Sequence, residues 1–182
     1  MDFKTVFVFL TIIAAASACW GGSNGPSRPS GGTWPSFSTM WNNYPSYSRY
    51  SSEELIRKCK LRDWLLDLKP KLNTCAIRVS NSLISSGKTL NDLSGCNWSG
   101  TTTTDGDKYI IRVATMRCYL ENKKGSADVI SSYESAFRGR EGIIVFQGCS
   151  FATGSHVDLW DGYTCAGQCY FSACNNNRLF EW

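Results

Sequence analysis

A chain of 182 residues, 42% hydrophobic and 13% aromatic, is of a size for one domain with a real core. Its net charge of +4 comes from scattered lysines and arginines with no run longer than a pair, which excludes a dedicated nucleic-acid arm. That charge suits approach to an acidic bacterial wall or membrane, a generally basic soluble surface being the plainer alternative. Nine cysteines indicate disulfides and an oxidising compartment, and their odd number leaves one over unless Cys19 leaves with a signal segment; a single histidine and no paired CxxC argue against zinc.

The N-terminus, MDFKTVFVFLTIIAAASACW, places Lys4 before an apolar run from Val6 to Ala16 and ends in the small-x-small stretch Ala16-Ser17-Ala18. This reads as a signal peptide over 1–18, too short for a membrane span of about 20 residues, so a secreted chain without a membrane anchor is expected. Residues 19–33 are Gly/Ser/Pro-rich and read as a flexible leader, leaving 34–182 as the folded domain. WPSFSTMWNNYPSYSRY is dense in aromatics and, with Pro35 and Pro45, reads mostly as loop. SSEELIRKCKLRDWLLDLK, with a serine cap and two acids, reads as one helix. After Pro70, Asn73 and Thr74 can cap a helix that Cys75 opens; Ala76, Val79 and Leu83 form its apolar stripe, with Ile77 and Ile84 beside it, and Gly87 ends it. SGCNWSGTTTTDGD reads as loop carrying the glycosylation sequon Asn97-Trp98-Ser99. KYIIRV is a predicted strand, ATMRCYLENK and SADVISSYESAFRG predicted helices, and GIIVFQG, SHVDLWDG and QCYFSAC predicted strands. Helices first and a small antiparallel sheet after them give an α+β fold.

Two residues carry the chemistry. A thiol at a helix start meets unpaired N–H groups and a partial positive charge, which favour the thiolate, and its own N–H can help hold an oxyanion. Cys75 is therefore a candidate nucleophile, against the reading that it is one more disulfide partner. His156, the sole histidine, opens a strand after Gly154 and Ser155 and is the candidate base. Helix-start cysteine and strand-borne histidine is the arrangement of papain-like hydrolases. A base needs an orienting group; Asp158, sharing its strand face, Asp161 at the turn and Gln168 on the next predicted strand all qualify, and the sequence does not choose.

With these residues in view the sequence resembles the fourth family of type VI secretion amidase effectors, small papain-like (NlpC-type) peptidoglycan hydrolases. The matching pieces, in family order from about Trp34 to Phe171, are WPSFSTMWNNYPS, NTCAIRVSNSL, YIIRVATMRCYL, GIIVFQ and GSHVDLWDG. The resemblance implies an NlpC-type fold stapled by disulfides, a cofactor-free antibacterial amidase acting as a monomer on bacterial peptidoglycan, and cleavage between D-glutamate and diaminopimelate of the stem peptide. It implies Cys75 as nucleophile, His156 as base, a Cys165–Cys169 disulfide beside the site, and an immunity protein as a possible inhibitory partner. Since the γ-linked D-glutamate carries a carboxylate near the scissile bond, Arg78, one turn beyond Cys75, is a candidate substrate-binding cation, or else a brace for the sheet. The chain departs from the family pattern in its signal peptide and leader, in its extra cysteines, and at the third catalytic position, where an aspartate is expected about 11 residues after the histidine and Gly167 stands instead. Two other readings compete: an inactive peptidoglycan-binding protein of the same fold, and a disulfide-stapled binding or inhibitor domain with no catalysis.

Overall fold

The computed structural model of the chain describes residues 33–67, 73–91, 93–97, 100–103 and 106–182. The expected signal peptide, the leader up to residue 32, Cys19, Pro70 and the Trp98-Ser99 part of the sequon lie outside the described residues.

The aromatic segment expected as loop contains a short helix, α1 (Phe37–Asn42), because Ser36 Oγ accepts the Thr39 N–H and caps it. The single helix expected from Ser51 onward is two. α2 (Ser52–Lys58) begins with a capping box, Ser51 Oγ accepting the Glu54 N–H and Glu54 Oε2 accepting the Ser51 N–H. It stops because Lys60 turns left-handed, at φ 50°, and the Lys60 and Leu61 N–H groups reach back to the Arg57 and Ile56 carbonyls in a Schellman closure. α3 (Trp64–Asp67) follows as a single turn.

α4 (Cys75–Ser85) is the centre of the molecule: every residue from Cys75 to Ile84 is buried. Each side chain of the Ile77 or Leu83 kind contributes about 1.5–3 kcal/mol by leaving water. Its polar residues are satisfied by neighbouring segments. Ser80 Oγ donates to the Ile110 carbonyl and accepts the Ile110 N–H, both at 3.1 Å, and Ser82 Oγ donates to the Met40 carbonyl at 2.7 Å. These bonds clamp α4 to α1 and to a small antiparallel ribbon, β1 (Gly100–Thr102) with β2 (Lys108–Ile110). α5 (Val113–Lys124) packs behind them.

The main sheet has four antiparallel strands in the order β3-β6-β4-β5, from β3 (Val129–Ser131), β4 (Gly142–Cys149), β5 (Ser155–Trp160) and β6 (Cys174–Glu181). Strand alternation divides its residues between two cores. Ile143, Val145, Val157, Leu159 and Phe180 face the helical core. Ile144, Phe146, Trp160 and Leu179 face a second apolar layer, closed by Phe137, Tyr170 and Phe171. Two expectations change here. SADVISSYESAFRG supplies β3 and a 3-10 turn (Glu134–Phe137) instead of a helix, since its β-branched Val129 and Ile130 pair with Leu179 and Arg178. QCYFSAC is loop, its aromatics covering the sheet, and the last strand begins at Cys174.

Disulfides join Cys96 to Cys118, Cys149 to Cys174 and Cys165 to Cys169. Cys59 is also disulfide-bonded, and Cys75 is the free thiol among the described residues.

Candidate active site

The site lies where the start of α4 meets β5, the edge strand of the main sheet. Cys75 is the first residue of α4, 1% exposed, and its N–H is held at 3.0 Å by Asn73 Oδ1. Thr74, the N-cap residue, makes no capping bond with its side chain. His156 pairs with Phe146 across the strands and is 2% exposed, with the Tyr170 ring edge-on at 4.8 Å. Its Nε2 lies 3.2 Å from Asp158 Oδ2, and Cys75 is the other polar group that acts on the ring.

Asp158, fully buried, is the carboxylate that meets the His156 ring. The pleat brings it to the same face as His156, and its oxygens are locked by backbone donors: Oδ1 accepts from Leu159 at 2.8 Å and Gly167 at 3.1 Å, and Oδ2 from Gln168 at 2.7 Å. The other two candidates point elsewhere. Asp161 Oδ1 accepts the Tyr163 and Thr164 N–H groups and shapes a turn. Gln168 gives its backbone to Asp158 while its exposed side chain accepts from the Tyr170 hydroxyl.

Gly167 stands where the family pattern expects an aspartate, and the space beside it is taken. A Cβ there would lie 2.6 Å from Asp158 Oδ2 and 2.8 Å from both Tyr44 Oη and Tyr47 Cε2. The space that a side chain at this position would need is filled by the Asp158 carboxylate. The Cys165–Cys169 disulfide closes the small ring that presents the Gly167 and Gln168 donors.

Arg78 is corrected as a substrate-binding candidate. It is wholly buried, gives its guanidinium to the Pro45 and Tyr50 carbonyls and to Thr74 Oγ1, and stacks 3.8 Å from the Tyr47 ring centre. It braces the 45–50 loop against α4, not the sheet and not a ligand. Sequence reasoning overlooked that loop and its tyrosines. Burial, with the Asp158 charge, raises the Tyr44 pKa; burial, with Cys75 beside it, raises that of Tyr47, so both hydroxyls stay protonated at neutral pH. Their signal in the sequence was the tyrosine spacing around Pro45.

Burial pulls the His156 pKa down, but the hydrogen bonds to Asp158 and Cys75 and their charges outweigh it and lift the pKa to about 9. The imidazolium therefore persists through neutral pH and is lost as pH rises through about 9. Asp158→Asn removes one of the two supports. Its rate should fall by a factor of about 10² to 10⁴, and the alkaline limb of kcat/KM should move from about pH 9 toward the ordinary histidine value of about 6.5. An unmoved limb would assign the support to Cys75 alone.

A helix-start thiol, an imidazole on the facing strand and a carboxylate behind it, on helices packed against a small antiparallel sheet, define a papain-like cysteine hydrolase of the NlpC type. The family profile described as "Type VI secretion system (T6SS), amidase effector protein 4" (Tae4) matches residues 72–182, and the chain belongs to this family. Comparison with curated proteins finds no match. Among solved structures, the type VI effector Tae4 from Enterobacter cloacae is 27% identical with a TM-score of 0.68, covering 82% of this chain and 97% of its own. The Tae4–Tai4 effector–immunity complex from Salmonella Typhimurium contains a chain 25% identical, TM-score 0.68, with 82% and 99% covered.

Proposed function

We propose that this chain is an exported antibacterial amidase that cuts bacterial peptidoglycan between D-glutamate and the diamino acid of the stem peptide, with Cys75 as nucleophile, His156 as general base and acid, and Asp158 as the group that orients the imidazole. The observation that carries this reading is the buried free thiol of Cys75 close enough to act on the His156 ring, in a protein whose other described cysteines are all bonded. Family membership supports the amidase activity and the antibacterial setting.

The steps use the groups in place. With the thiol proton already held on His156 as imidazolium, Sγ bonds as thiolate to the scissile carbonyl carbon, whose π electrons move to oxygen. The oxyanion collapses, the C–N bond breaks, and His156 passes its proton to the departing amine. Water, deprotonated by His156, then attacks the thioester and releases the carboxylate product and the thiol. This cycle closes without a cofactor. Glycoside cleavage would need two carboxylates flanking the bond, and the site is built on a thiol instead.

Export is supported by the disulfides, which persist outside a reducing cytoplasm, and by the N-terminal signal pattern. The solved relatives include effectors held by Tai4 immunity proteins; by extension, an inhibitory protein partner belongs to this reading. The inactive-binder alternative fits poorly with a base whose ring contacts both the thiol and a fully locked carboxylate. Digestion of diaminopimelate-type peptidoglycan, read by fragment mass, tests the assignment. The expected products are disaccharide fragments ending in D-glutamate, with new amino termini on the diamino acid. Intact stems freed from the sugar, or shortened glycan with intact stems, would overturn it.

A further inference from the structure

We infer that Asn73 is a catalytic residue, whose side-chain amide is the second donor of the oxyanion site; this rests on the cysteine-hydrolase reading above. When Sγ of Cys75 bonds to a carbonyl carbon, the developing oxyanion comes within reach of the Cys75 N–H, the unpaired donor that a helix start offers. In the resting site that donor is occupied, at 3.0 Å, by Asn73 Oδ1. The orientation of the carboxamide follows from chemistry, because a backbone N–H only donates and so must face the oxygen. Asn73 Nδ2 is then the other end of the same amide, beside the nucleophile, with no hydrogen-bond partner among the described residues. Asn73 is half-buried, so it can move, whereas Thr74 and the helix behind it are buried.

The resting bond imitates the reaction. A neutral amide oxygen sits on the donor that an oxyanion will occupy, and it keeps that N–H satisfied while the site is empty. An incoming oxyanion is the stronger acceptor and displaces it. The carboxamide turns about its soft terminal torsion and offers Nδ2–H to the same oxygen. The charge that builds on the carbonyl oxygen is then shared by one backbone and one side-chain donor, while the proton stays on His156.

The test is steady-state cleavage of a γ-D-glutamyl-diaminopimelate peptide by wild type, Asn73→Asp and Asn73→Ser, each at its own pH optimum and each checked for an unchanged melting temperature. Aspartate has the same shape and still accepts the Cys75 N–H, yet has no donor. Asn73→Asp should lose a factor of about 10² to 10³ in kcat with KM within about threefold, and Asn73→Ser, which can both accept and donate, should recover part of that loss. An Asn73→Asp enzyme with wild-type kcat would reduce Asn73 to a helix cap and overturn the inference, as would an Asn73→Ser enzyme no faster than Asn73→Asp. An inactive wild type would instead sink the hydrolase reading itself.

Discussion

Cys75→Ala should abolish hydrolysis of peptidoglycan, lowering the rate by a factor of about 10⁶, the scale seen when a covalent nucleophile is removed. The thiol is the group that forms the acyl-enzyme, and the described cysteines besides it are all in disulfides, so no neighbouring sulfur can substitute. The structural cost is small: one buried sulfur becomes hydrogen, about 1 kcal/mol by the usual scale for a lost core atom. The variant should therefore remain folded and bind wall fragments. Alkylation without reduction provides a second readout. Wild type should take a single adduct, at Cys75 and slowly, because the sulfur is nearly sealed from solvent, and Cys75→Ala should take none. Finding Cys75 in a disulfide, or a variant retaining a tenth of the rate, would refute the nucleophile assignment.

Replacing the base should do almost as much. His156 lies inside an aromatic wall, 6.0 Å from the Phe146 ring and 4.8 Å from Tyr170, so alanine would leave a ring-sized hole and strand the Asp158 carboxylate. His156→Gln is the cleaner variant, since its amide can still meet Asp158 but cannot carry the proton. We expect a loss of about 10⁴ or more with circular dichroism unchanged. The thiol and the imidazole act as one unit, so the double variant with Cys75→Ala should be no slower than Cys75→Ala alone. An additive double variant, or a tenth of wild-type activity in His156→Gln, would mean that another group moves the proton.

What could be read from the chain without coordinates was what depends on local chemistry. The helix beginning at Cys75 announced itself by its apolar stripe and by Gly87, and the strands of β4 and β5 by their apolar runs. Cys75 and His156 stood out by position and by count. The choice of Asp158 over Asp161 or Gln168 was not legible, because it depends on where the segment after Trp160 folds back and which of its N–H groups converge. Arg78 was read as available to a ligand since helical spacing puts it near Cys75; its burial is decided by the 45–50 loop, which arrives from outside the helix. The helix expected across 51–69 failed at Lys60, where a left-handed residue breaks a pattern that spacing alone would continue. The helix expected over 126–139 failed because a strand edge on β6 was open to it.

The crowding around Gly167 limits what that position can hold. With Asp158 seated as it is, an aspartate at 167 would have to enter space already taken by a carboxylate and two tyrosines. Position 167 is closed to variation while that carboxylate and those tyrosines stay in place: any side chain there would push the Gly167 and Gln168 N–H donors away from Asp158, so the cost of a change falls on the acid and not on the loop alone.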